Sequence, residues 1–240
     1  MEKSSGSGIV LGAVLAALAI AGPWESVGAQ TGSIAGSVAI SRTLSVRKPR
    51  IRLYADWGPG AVPRRSASDT NELGRVVIYV ESVPSGPSGE SASGPLPMAQ
   101  RNESFVPHVV AVARGSTVEF PNDDQVFHNV FSLSSTRTFD LGRYPRGASK
   151  SVRFDRPGVV QVFCHIHSDM SAIVLVLDNP FFAVPDTAGR YVIDHLPPGE
   201  YRVVAWHERI KPVARRVRVG PGQVVTLDFD IPLIGEQAAP

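Results

Sequence analysis

The sequence predicts an all-β protein. Glycine and proline are abundant, 22 and 20 in a chain of 240 residues. Short runs of Val, Ile and Phe recur between Gly, Pro and Asn turns. No long stretch shows the 3.6-residue apolar period of an amphipathic helix, so strands joined by turns are the reading that remains. The length accommodates one large or two small domains.

The first 29 residues read as a signal peptide. Lys3 supplies the positive start, Ile9 to Ala21 is an apolar or Gly/Ala run, and Val27-Gly28-Ala29 offers small residues before a cut at Gln30. The apolar run is short for a membrane span, though a retained N-terminal anchor is the alternative. Cleavage leaves 23 basic and 20 acidic residues, a net charge of +3 with His neutral. That excess is too small for a nucleic-acid footprint. The basic runs Arg47, Lys48, Arg50, Arg52 and Arg215, Arg216, Arg218 fit solvated strand faces. Export implies an oxidising compartment, yet the chain has a single cysteine and cannot form an internal disulfide. Metal ligation is one way to protect such a thiol.

Beyond the leader, Ile34–Ile40, Ile51–Tyr54 and Val76–Val80 are strand candidates, with a Gly/Pro/Ser-rich loop from Trp57 to Thr70. Pro84 to Gly94 is low-complexity linker, too polar to pack. Seven short strand candidates follow: Met98–Arg101, His108–Ala113, Thr117–Phe120, Val126–Ser132, Ser151–Phe154, Val159–Phe163 and Ala172–Leu177. Their number and turn spacing predict a sandwich or barrel. Between the last two lies Cys164-His165-Ile166-His167-Ser168-Asp169-Met170, a tight loop holding the lone thiol, an imidazole three residues on and a thioether three further. His128 stands on an upstream strand. Two imidazoles, one thiolate and a weak axial thioether form the trigonal donor set of blue copper; zinc takes N and S donors too, but a thioether suits it poorly. No phosphate loop, Ser-His-Asp arrangement, nucleophile elbow or EF-hand spacing stands out.

The order His128-Asn129, then Cys164-x-x-His167-x-x-Met170, resembles the cupredoxins, and the short loop resembles amicyanin within them. Phe105-Val106-Pro107, Gly115 to Asn122 and Gly158-Val159-Val160 strengthen the likeness. The phrase from Phe139 to Met170 is similar to exported plastocyanin-like or methylamine-utilisation proteins. The resemblance covers roughly Pro97 to Asp178 and implies a Greek-key β-sandwich or barrel. It implies one type 1 copper held by His128, Cys164, His167 and axial Met170. It also implies that the Asn129 amide ties the His128 strand to the Cys164 loop. His165 departs from the Asn usual at that place and reads as a surface histidine beside the site. In multicopper oxidases and nitrite reductases a histidine next to the blue-copper Cys leads to a second centre. The other histidines here, His108, His195 and His207, are isolated in sequence and offer no second centre. Asp140, Arg143 and Arg146 read as part of an ordinary turn or of a docking face.

From Pro180 to Leu233 the pieces Ala188-Gly189-Arg190-Tyr191, Leu196-Pro197-Pro198-Gly199-Glu200-Tyr201 and Val225-Thr226-Leu227-Asp228-Phe229 resemble the carboxypeptidase regulatory-like, transthyretin-like sandwich. That family opens on Gly-x-Val and a Val-rich strand. Here those occur as Gly36-Ser37-Val38 and Val76–Val80, far upstream. The expected organisation is therefore a signal peptide (1–29), a discontinuous small sandwich (31–82 and 179–235), a linker (83–97) and an inserted cupredoxin-like domain (98–178). Two consecutive domains with an irregular N-terminal arm are the alternative.

The expected function is single-electron transfer by an exported, non-enzymatic copper protein, serving unidentified redox partners in the periplasm or cell envelope. The alternatives are a structural, adhesive or copper-sequestering envelope protein, and an electron-transfer subunit of a larger oxidase.

Overall fold

A computed structural model describes residues 30–40, 72–83 and 94–231. The leader, the Ile51–Tyr54 strand candidate, the Trp57–Thr70 loop and most of the linker lie outside the described residues. The described chain is strands and turns, with one 3-10 turn at Glu72–Arg75. No helix among the described residues is long and apolar enough to cross a membrane.

Two strands come first, β1 (Gly32–Ile40) and β2 (Val77–Val80). The middle of the chain supplies β3 (Leu96–Pro97), β4 (Ala99–Arg101), β5 (Ser104–Val106), β6 (Val109–Ala113) and β7 (Thr117–Pro121). It continues with β8 (His128–Ser134), β9 (Arg137–Tyr144), β10 (Ser149–Arg153), β11 (Gly158–Phe163) and β12 (Ser171–Leu177). The last part adds β13 (Phe182–Ala183), β14 (Arg190–Leu196), β15 (Gly199–Trp206), β16 (Val213–Val219), β17 (Val224–Thr226) and β18 (Phe229–Ile231).

Among the described residues, the middle strands pair only with one another. A five-stranded sheet runs β6-β12-β11-β8-β9, a three-stranded sheet β10-β7-β3, and β4 and β5 form a hairpin. Inward residues alternate along the strands, and β6 and β12 are buried on both faces. Val118 and Phe120 face Val130, Val160, Val162, Val174 and Val176 in one core that also holds Phe154, Cys164 and Met170. Phe120 and Phe154 are fully buried; each stabilises by roughly 1.5–3 kcal/mol relative to exposure.

The remaining strands form a second sandwich. β1 pairs antiparallel with β14 and parallel with β17 and β18. β2 pairs with β13 and β15, and β15 with β16. Its core includes Ile34, Val38, Ile78, Tyr191, Ile193, Tyr201, Val203 and Phe229. Gly36 is fixed by crowding: a Cβ there would stand 1.9 Å from the Leu227 carbonyl oxygen. The Tyr191 hydroxyl donates to that same oxygen at 2.5 Å.

The sandwiches share a third apolar cluster. Outward residues Val109 and Ala111 of β6 and Ile173, Leu175 and Leu177 of β12 meet Val77 and Trp206, with Tyr79 and Phe182 at the margin. Beside it lies an ionic group. Glu208 accepts from Arg75 at 2.8 Å and faces His108 Nε2 at 3.0 Å.

One sequence reading is corrected. The segment around Asp140-Leu141-Gly142-Arg143-Tyr144, taken as a turn, lies in strand β9, paired along β8. Phe139 and Leu141 pack against the core, and the segment is mostly polar because among the described residues it forms the sheet edge.

Candidate metal centre

β11 and β12 are a hairpin whose last pair is Phe163 with Ser171. The seven residues between them form the loop that begins at Cys164. Two backbone bonds close it: Cys164 N–H donates to Met170 O at 3.2 Å, and Met170 N–H to His167 O at 3.0 Å. Rigid strands thus hold both loop ends, and the tight turn brings His167 back beside the thiol.

His128 opens β8, opposite Tyr144. The β8–β9 register slips by one residue between Asn129 and Phe131, where Gly142 takes a left-handed φ of 64°. Such a bulge re-aims the side chains beside it, and glycine adopts the conformation without steric cost. Asp140 secures it, accepting from Gly142 N–H at 2.8 Å and from Asn129 Nδ2 at 2.6 Å. The Gly142 and Asn129 donors hold the Asp140 carboxyl below its ordinary range.

These elements bring three donors together. His128 Nδ1 and His167 Nδ1 are 3.1 Å apart. Cys164 Sγ lies 3.8 Å from His167 Nδ1 and 4.0 Å from His128 Nδ1. Among the described residues this is the one group of three or more His, Cys, Asp or Glu side chains able to hold a metal ion. His128 and Cys164 are buried and His167 is half-buried. Met170 is fully buried in the core cluster that contains Cys164. A soft thiolate and two imidazoles, sunk in apolar packing, suit a soft or borderline metal such as copper.

The surrounding bonds orient these donors. Asn129 Oδ1 accepts the His165 N–H at 3.3 Å, joining β8 to the first residue after the thiol. The His165 side chain points outward, 55% exposed, and lies flat on Phe131 with ring centroids 3.7 Å apart. His108, His195 and His207 are not part of the cluster.

Sequence reasoning missed Asp124. Its Oδ2 stands 2.8 Å from His128 Nε2, on the side of the ring away from the cluster. Burial pushes the Asp124 carboxyl up, but N–H groups of Glu103, His128 and Asn102 outweigh it and hold the carboxyl below its ordinary value. Beneath it, Asn122 Oδ1 accepts Asp124 N–H at 2.9 Å, while its amide group donates to the carbonyls of Val126 and Tyr144. A carboxylate four residues before a histidine is visible in the sequence; the backbone donors that hold it come from a distant hairpin and are not.

No protein-family model and no curated protein matches the chain. Solved structures do resemble part of it. A purple cupredoxin from Nitrosopumilus maritimus is 22% identical, with 34% of this chain and 98% of that chain covered and a TM-score of 0.31. A copper-containing nitrite reductase from Thermus scotoductus is 24% identical, over 39% of this chain and 27% of that one, with a TM-score of 0.34. A reduced amicyanin variant is 21% identical, over 42% of this chain and 98% of that one, with a TM-score of 0.33. Each likeness covers less than half of this chain.

Proposed function

We propose that this protein is an exported type 1 copper protein that carries single electrons and is not an enzyme. The observation that supports this most is the convergence of His128 Nδ1, His167 Nδ1 and Cys164 Sγ within 4.8 Å, with Met170 buried in the same core cluster as Cys164. When bound there, copper would supply a one-electron couple. His128, Cys164 and His167 would hold it, with Met170 as the weak axial donor. Four protein donors leave no open position for a substrate, which favours transfer over catalysis. The donors stand on strands and on a loop closed by its own backbone bonds, so little has to move when the oxidation state changes. The redox partners would be proteins of the periplasm or cell envelope.

The shared apolar cluster favours a second reading, in which the metal unit is one half of a structural or copper-holding envelope protein. The two differ in rate: a carrier exchanges electrons quickly between its own oxidised and reduced forms, a storage protein does not. The primary test is optical and EPR spectroscopy of the protein with Cu(II). An intense visible thiolate-to-copper band with narrow hyperfine splitting is expected. A colourless protein after verified copper uptake overturns the type 1 assignment.

A further inference from the structure

We propose that Asp124, gripped by the left-handed Asn102–Glu103 turn, is a positioning residue that fixes which nitrogen of His128 is free to bind metal. The argument starts from hydrogen-bond chemistry. An ionised carboxylate only accepts, so the ring nitrogen facing it carries the proton. Asp124 Oδ2 faces His128 Nε2 at 2.8 Å. Nε2 is therefore the N–H, and the lone pair sits on Nδ1, the atom facing Cys164 Sγ and His167 Nδ1.

Three donors fill the carboxylate. Besides His128 Nε2, it takes Asn102 N–H on Oδ1 at 2.5 Å and Glu103 N–H on Oδ2 at 2.9 Å. Those two backbone groups come from the turn between β4 and β5, which pair antiparallel through Arg101 and Ser104. Asn102 and Glu103 have φ of 51° and 54°. Two successive left-handed residues make the two-residue hairpin turn that usually takes Asn-Gly. Glu in the second place is disfavoured, by about 1–2 kcal/mol. The strain is an observed outlier beside a candidate site, the setting in which strained backbone tends to carry function. The carboxylate is further held from behind, since Asp124 N–H donates to Asn122 Oδ1.

The consequence runs through the imidazole. A fixed negative charge on Nε2–H raises the basicity of Nδ1, as carboxylate partners do for metal-bound histidines. Losing that partner should weaken metal binding about ten- to a hundredfold and destabilise the more positive, oxidised metal, raising the potential.

The first test needs no metal. Nitrogen-15 NMR of the metal-free protein should find His128 as the single Nε2–H tautomer. A Nδ1–H tautomer, or rapid exchange between the two, overturns the proposal. The second test uses the copper-loaded chain, and this arm alone rests on the copper reading. Asp124→Asn should keep the visible band, bind copper about ten- to a hundredfold more weakly and shift the potential upward; Asp124→Glu should recover part of the loss. Unchanged affinity and potential in a folded Asp124→Asn protein would sink the proposal. A wild type that never turns blue sinks the copper reading instead and leaves the tautomer result standing.

Discussion

The Nδ1 atoms of His128 and His167 face each other at 3.1 Å, with the Cys164 sulfur within 4.0 Å of both. Two ring nitrogens that close cannot both carry a proton pointing inward. One cation bound between them satisfies both. Copper should therefore stabilise the native state by mass action, by about 4 kcal/mol at a thousandfold excess over Kd. For a chain of this size that corresponds to a Tm rise on the order of 10 °C. Cys164→Ser should remove most of the rise and abolish the visible band. Calorimetry with and without Cu(II) checks this, and an equal rise in the Ser variant contradicts it.

Met170→Leu should retain copper and colour. Leu nearly matches Met in volume, and such a swap at a buried site costs less than about 1.5 kcal/mol. The potential should rise, because the weak donor that favours Cu(II) is lost. Voltammetry of the two proteins decides it, and an identical potential would assign the axial position to another group.

Glu208 gives stability a pH dependence. Burial pushes its carboxyl up, yet the facing His108 and Arg75 pull it down to about 2. A carboxylate whose native pKa is depressed stabilises the fold above its unfolded pKa, near 4.5, and that contribution is lost as pH falls towards 2. Partial exposure screens the effect to on the order of 2 kcal/mol. Buried His207 acts in the same direction: burial depresses its pKa, so charging it on acidification opposes the native state. Glu208→Gln should lower stability at pH 7 and flatten its decline between pH 4.5 and 2. Unfolding midpoints measured across that range test it; parallel curves for the two proteins would refute it.

The pairing of β1 with β14, β17 and β18, and of β2 with β15, motivates an architectural test. We expect a chain with residues 84–178 replaced by a short flexible linker to fold cooperatively, without colour and without response to copper. Residues 96–179 alone should bind copper and turn blue. If the bridged chain is unfolded while 179–235 folds by itself, consecutive domains replace the insertion.

The cluster of His128, Cys164 and His167 was legible because its spacing is local: Cys164 and His167 fall in one short loop, and His128-Asn129 is a compact phrase. Strand β12 was legible as a continuous Val/Ile/Leu run, and the reason is now visible. It is buried on both faces, by the core that contains Cys164 and Met170 on one side and by Val77 and Trp206 on the other. Strand β9 was not recognised as a strand: only Phe139, Leu141 and Tyr144 reach the core, while Asp140 and Gly142 serve the bulge. Asp124 was missed for a different reason. Its meaning depends on Asn102 and Glu103, more than twenty positions upstream, and on backbone dihedrals that residue types alone do not announce.

The third apolar cluster decides where a visitor can stand. It occupies the outer side of β6 and β12, so the outer face of two of the five strands in that sheet is already taken by the protein's own second sandwich. Of His128, Cys164, His167 and Met170, only His167 reaches partial exposure. Phe127 and Ile166 stand exposed on the chain beside His128 and His167, and His165 lies on the β8–β9 flank. Among the described residues, the loop end and that flank stay open to an approaching molecule, while the outer face of β6 and β12 does not.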